Sequence, residues 1–168
     1  MQRRTISVFG AAMLVLATAA SAQDRPDFSG KWTPDAEKSA AANPGMPGGG
    51  GGGRGMGRGM GMMMGPMTLT LDANTLITER ETPNGSMKIT YKLDGSEQQV
   101  QLGQGTATAK ARWEGNTIVI ETTRAFNGNS FTTKSVYAIE GDYLVVATTS
   151  PGRGGDGPMT RKQYYRKG

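Results

Sequence analysis

The chain contains no cysteine and no histidine. Those two absences exclude disulfides, thiolate nucleophiles, imidazole bases and zinc sites of the usual His/Cys kind. A domain without disulfides must be held by its core alone. Aromatic residues are few, 7% of 168, and the basic side chains are interspersed with acids instead of clustering beside stacking rings. A nucleic-acid groove needs that cluster, so no nucleic-acid partner is expected. Long apolar runs are also missing. The run from Val8 to Ala20 falls short of the roughly 20 apolar residues of a membrane helix, so no membrane span is expected.

That short run has another reading. Arg3 and Arg4 precede it and Ala20-Ser21-Ala22 closes it with a small-x-small site, which is the pattern of a cleaved secretory signal. Residues 1–22 are therefore expected to be removed, leaving Gln23 first, with the protein secreted to the periplasm or the exterior of a bacterium. Thr5-Ile6-Ser7 is a poor match to a twin-arginine signal, which favours the general secretory route. No cysteine follows the apolar run to carry a lipid. The leader takes two of 19 basic residues and none of 14 acids, so the remainder carries 17 minus 14, or +3. So mild an excess describes an ordinary solvated surface.

What the chain has in abundance is glycine, 26 residues, and methionine, 11. Both concentrate in GMPGGGGGGRGMGRGMGMMMGP, residues 45–66, where 12 of 22 residues are Gly and six are Met. A phosphate cradle would need a strand before it, a helix after it and a Lys-Ser/Thr pair, and none is present. Gly152 to Gly157 formally fits Gly-x-Gly-x-x-Gly, but it leads into a strand pattern and reads as a hairpin turn. Thioethers are soft ligands that select Cu(I), and Met56, Met60, Met62, Met63 and Met64 could surround one ion. Against that stands the conformational freedom so much glycine would have to lose. The leading expectation is a disordered loop, with the Cu(I) site as an alternative.

From Met67 onward, short β-prone runs alternate with turn signals at Asp72-Ala73-Asn74, Asn84-Gly85, Asp94-Gly95, Gly103-Gln104-Gly105, Glu114-Gly115-Asn116, Asn127-Gly128-Asn129 and Glu140-Gly141-Asp142. Gly, Asn and Asp accept the positive φ that tight hairpins impose. Met87, Ile89, Tyr91 and Leu93 alternate with polar residues, as do Ala107, Ala109, Ala111 and Trp113, so each run has one face to bury. Counting FSGKWT at the front, about ten strands are predicted, within a range of eight to ten. The expected class is all-β: an antiparallel up-and-down meander closed into a barrel, because closure removes both edges. A two-sheet sandwich remains the competing architecture. One domain is predicted: residues 23–44 supply the first strand, 45–66 the loop, and 67–168 the rest of the meander.

Gly30-Lys31-Trp32, ahead of this meander, resembles the Gly-x-Trp signature of lipocalins and the broader calycins. The phrase FSGKWTPDAEKS, together with Ala111, Trp113, Gly115, Asn116, Ile120, Glu121 and Thr122, is similar to secreted bacterial lipocalin-like domains. The resemblance implies a barrel plugged at its narrow end by Trp32 beneath a late-strand cation, Arg161 or Arg166. It also implies a long connection over the open end between the first two strands, and ten strands would match the fatty-acid-binding branch. Gly30, Trp32, Trp113 and Arg166 are accordingly the structural candidates.

Catalysis has little to stand on. Glu79 and Glu81 share a strand face but flank Arg80 as on a solvated strand, Asp35 and Glu37 lie in a polar segment, and Ser130 with Lys134 lacks an oxyanion site. A non-enzymatic protein without a cofactor is expected. The favoured function is binding of a small apolar or amphipathic ligand, with Met87, Ile89, Tyr91, Ala107, Ala109 and Ala111 as the cavity wall. An envelope interaction module with a filled barrel competes with it.

Overall fold

The computed structural model describes residues 25–45, 65–82, 85–103, 105–126, 128–152 and 157–168. Ten antiparallel strands form one sheet: β1 (Gly30–Asp35), β2 (Met67–Asp72), β3 (Thr75–Thr82), β4 (Gly85–Lys92), β5 (Asp94–Leu102), β6 (Gly105–Glu114), β7 (Thr117–Phe126), β8 (Asn129–Glu140), β9 (Tyr143–Ser150) and β10 (Met159–Lys167). Their spatial order, β4-β3-β2-β1-β10-β9-β8-β7-β6-β5, is that of a meander whose first and last strands pair. The sheet is a nearly closed barrel, and the sandwich alternative does not occur. Strand ends coincide with the turn signals because those residues take left-handed backbone: Gly115 has φ 59° and Gly141 φ 60°.

Closure is completed by ladders everywhere except at one seam. Among the described residues no ladder joins β4 to β5, although the two are consecutive in the chain and form the two ends of the sheet order. The Gln98 side chain bridges them, its Oε1 accepting the Lys92 N–H at 3.3 Å. A register shift between Asp94 and Glu97 bends β5 just there.

Alternation sorts the residues into an inner and an outer face. One end of the interior, the base, is packed by Phe28, Trp32, Leu69, Leu76, Ile118, Leu144 and Tyr165, all at most 3% exposed. Trp32 donates its indole N–H to the Phe28 carbonyl at 2.9 Å, so its buried polar atom is satisfied. The Phe28 ring meets Trp113 at 5.8 Å between centroids, and Arg25 covers the other ring of that pair at 4.7 Å.

The cation over Trp32 is Lys167, whose Nζ lies 5.8 Å from the ring centroid. Neither Arg161 nor Arg166 fills that role. Trp32 pairs directly with Lys167 across the β1–β10 ladder, and alternation then turns Arg166 to the outer face and leaves Arg161 three inward positions further up the strand. Gly30 has φ 134°, and a Cβ there would come within 3.1 Å of the Lys167 stem. Glycine thus serves both the backbone and the cation that caps the tryptophan.

β1 runs from the base only to Asp35, where a short helix begins: α1 (Ala36–Ala41). Asp35 is its N-cap, accepting the Lys38 N–H at 2.9 Å, and alanines fill the turn. Sequence alternation alone did not reveal this helix, since six residues offer no period to detect. Ser39 of this helix and Asn43 just beyond it take over the β10 edge that β1 leaves. Ser39 Oγ accepts the Tyr164 N–H at 2.9 Å. Asn43 accepts from the Lys162 N–H at 2.9 Å and donates to the Lys162 carbonyl at 2.7 Å, as a paired strand residue would.

On the outside, Arg166 Nη2 meets Asp35 Oδ2 at 2.7 Å, with the carboxylate side chain only 6% exposed. The Lys38 backbone bond, and after it the Arg166 guanidinium, hold the Asp35 pKa below its ordinary value. A lowered folded pKa means stability that is present above the unfolded value and lost as pH falls through the folded one. Asp35→Ala should therefore melt earlier than wild type at neutral pH, and the gap should close as pH drops below about 4. Thermal melts of both proteins across that interval check it.

Candidate functional site: the barrel interior away from the base

The far half of the interior differs from the base. Strand alternation aims Arg80 of β3, Arg124 of β7 and Arg161 of β10 inward, because each shares parity with core residues of its own strand: Leu76, Ile120 and Tyr165. The described Asp and Glu residues sit at outward strand positions, in turns, on α1 or ahead of β1. The Thr-Glu-Arg-Glu run on β3 reads as a solvated strand, yet Leu76 and Thr78 are both buried. Counting by twos from Leu76 is the signal that brings Arg80 inside.

Arg80 is the best-defined of the three. Its guanidinium feels the hydroxyls of Tyr137 and Tyr165, lies 5.9 Å from the Tyr165 ring centroid, and donates from Nη1 to the Gly65 carbonyl at 3.4 Å. Burial works against its charge, but the oxygens of Tyr165 and Tyr137 outweigh that and raise its pKa. Tyr91 and Tyr137 are 6% and 8% exposed. Burial, foremost, pushes the Tyr91 hydroxyl well above the usual phenol range, with Tyr137 adding to the rise and Arg80 and Arg124 opposing it. Burial likewise raises the Tyr137 hydroxyl while Arg80 opposes. Together these causes place Tyr91, Tyr137, Arg80 and Arg124 in one electrostatic neighbourhood.

Ile89, Tyr91, Ala107, Ala109 and Ala111 are buried on the inner face, with half-buried Met87 packed against them. Ala109 and Ala111 face Thr122 and Ile120 of β7 directly. Near the open end Phe131 and Met159 share the inward parity and are 46% and 44% exposed.

Other candidates lie elsewhere. Glu79 is on the outer face, accepting from the Ser86 hydroxyl at 3.0 Å, and Glu81 shares that face. Ser130 and Lys134 are outward on β8, opposite Ala125 and Glu121. Met56, Met60, Met62, Met63 and Met64 lie outside the described residues, as does the proposed leader. Among the described residues no group of three or more His, Cys, Asp or Glu could hold a metal ion, and no helix is long and apolar enough to cross a membrane. A shallow concavity of about 380 Å³ lies on the outer face, lined by Glu97, Thr108, Lys110, Glu121, Thr123 and Thr132. Its exposed Lys110–Glu97 pair, at 3.3 Å, contributes little to stability.

No protein-family model matches the chain, and no curated protein matches it. Solved structures do. The zebrafish ileal bile acid-binding protein, solved with cholic acid, aligns over 84% of this chain and 98% of its own, at 16% identity and a TM-score of 0.55. The fold is calycin-like. A fatty acid transporter, REP1-NXSQ, aligns over 83% of this chain and 95% of its own at 12% identity and a TM-score of 0.56. The fluorescent protein UnaG aligns over 84% and 97% at 18% identity and 0.54. At such identities the likeness is one of fold.

The raised phenols carry a consequence for alkaline stability. An acid whose folded pKa exceeds its unfolded value stabilises the fold below that unfolded value, and the contribution is lost as pH rises. Unfolding free energy should hold up to about pH 10 and fall above it. Replacing Tyr91 by Phe should flatten the fall, as urea unfolding at successive alkaline pH values would reveal.

Proposed function

We propose that this barrel binds an anionic amphipathic small molecule in the half of its interior away from Trp32. The charged end lies at Arg80 and Arg124, with Arg161 near the mouth. The apolar body lies along Met87, Ile89, Tyr91, Ala107, Ala109 and Ala111. One observation carries this reading: the Arg80 guanidinium stands on the inner face beside the buried Tyr137 and Tyr165, 5.9 Å from the Tyr165 ring centroid, among apolar side chains. A guanidinium offers a planar fork of donors that matches a carboxylate or phosphate, and it acts more strongly in a low-dielectric interior. The likeness to barrels named for bile acid binding and fatty acid transport supports the same class.

The protein works outside the cytoplasm, exported by residues 1–22 into the periplasm or beyond. In a bacterial host the periplasmic product should begin at Gln23 by amino-terminal sequencing. Recovery of an intact Met1 product confined to the cytoplasm would overturn export. A second reading, a filled barrel serving as an envelope interaction module, is favoured by the complete burial of Leu76, Ile118, Leu144 and Tyr165.

Titration of the purified protein with anilinonaphthalene sulfonate, followed by competition with stearic acid and with stearyl alcohol, separates the two. The acid should displace the fluorophore at least about tenfold more effectively than the alcohol, the range expected for a hydrogen bond to a charged group. Arg80→Met should bring the acid down to the level of the alcohol. Failure of both compounds to displace the probe would remove the binding reading and leave the filled barrel.

A further inference from the structure

The inner face is divided lengthwise as well as by height. On the β2–β4 side Met67, Leu69, Leu76, Met87 and Ile89 make an apolar stretch that only Thr78 and Arg80 interrupt among the described residues. On the β5–β9 side a lane of small polar side chains crosses it. Thr122 faces Ala109 and Thr133 across the β7 ladders, and Ser135 faces Ile120 and Thr148. The Ser135 and Thr148 hydroxyls bond each other at 3.1 Å, while Thr133 Oγ1 donates to the Thr122 carbonyl at 3.4 Å.

Gln98 stands at the seam end of this lane. It pairs with Ala109 on β6, so its side chain shares the inner face, where Oε1 is committed to the Lys92 N–H at 3.3 Å. Its Nε2 is buried and has no hydrogen-bond partner among the described residues. A buried amide donor left unsatisfied is costly, and so is a set of hydroxyls facing an unsubstituted hydrocarbon. Both costs vanish if the ligand itself brings oxygen atoms to this wall.

Resting on the binding function proposed above, we propose that Gln98, with Thr122, Thr133 and Ser135, selects ligands that carry hydroxyl or oxo groups along the apolar body, in preference to plain acyl chains. The anionic end is held by the arginines. The Gln98 carboxamide donates to a ligand oxygen near the β4–β5 seam, and the hydroxyl lane exchanges hydrogen bonds with further oxygens. The opposite wall packs against the ligand's unsubstituted side. The ligand class is therefore an oxygenated amphipathic carboxylate.

The experiment is isothermal titration of the purified protein with stearic acid and with a mid-chain hydroxystearic acid. The hydroxy acid should bind about tenfold tighter, because a site built around hydrogen-bonding groups rejects an analogue that lacks their partner. In Gln98→Leu, and separately in the double variant Thr122→Val with Ser135→Ala, the preference should fall below about twofold, with circular dichroism confirming the fold. Equal affinity of the wild type for the two acids overturns the selectivity while leaving the binding function standing. So does a preference that survives in both variants. If neither acid binds, the binding function falls and this inference falls with it.

Discussion

The pairing of β1 with β10 is the contact on which the rest of the molecule depends. Only four residue pairs make it, from Trp32 with Lys167 to Asp35 with Tyr164. Without them the sheet would part into β1–β4 and β5–β10, with the edges of the first and last strands unpaired, a template for association with other chains. With them, Lys167 comes to lie over Trp32 and Arg166 comes to lie beside Asp35. The same register decides which side chains of β10 enter the barrel. Ser39 and Asn43 then extend the join upward by offering side-chain oxygens and an amide where β1 has ended.

Such closure is economical at the base and permissive above it. Aromatic and branched aliphatic residues fill the base, where transfer from water supplies most of the stabilisation. Further up, alanines, hydroxyls and arginines occupy the inward positions. Placing Arg80 beside Tyr137 and Tyr165 offsets part of the cost of desolvating a charge, yet apolar residues of similar volume would cost less.

The seam between β4 and β5 belongs to the same logic. Two strands joined by a tight connection would ordinarily form a hairpin ladder, but the register shift at Asp94 and Glu97 turns β5 away. Gln98 spans the opening with its side chain and brings a buried amide to the interior. An irregularity in the sheet thus creates a polar position in the midst of apolar neighbours.

Much of this fold was legible in residue order alone. Period-two alternation in SMKITYKLDG and TATAKARWEG marked strands and their buried faces, and Gly, Asn and Asp marked the turns, because both signals are local and arise from backbone sterics. Met87, Ile89, Tyr91 and the three alanines could be assigned to the inner face for that reason. Register could not be read, since a slip of one residue inverts every face; Arg166 was therefore a reasonable cap for Trp32 until pairing put Lys167 there. Arg80 was hidden by its acidic neighbours, and Tyr137, Tyr165 and Gln98 acquire meaning only when strands far apart in sequence meet. The chain by itself determined which segments extend and which of their faces avoid water, a property of neighbouring residues. Which side chains share the enclosed space was decided by tertiary closure alone, because that depends on how the first and last strands align.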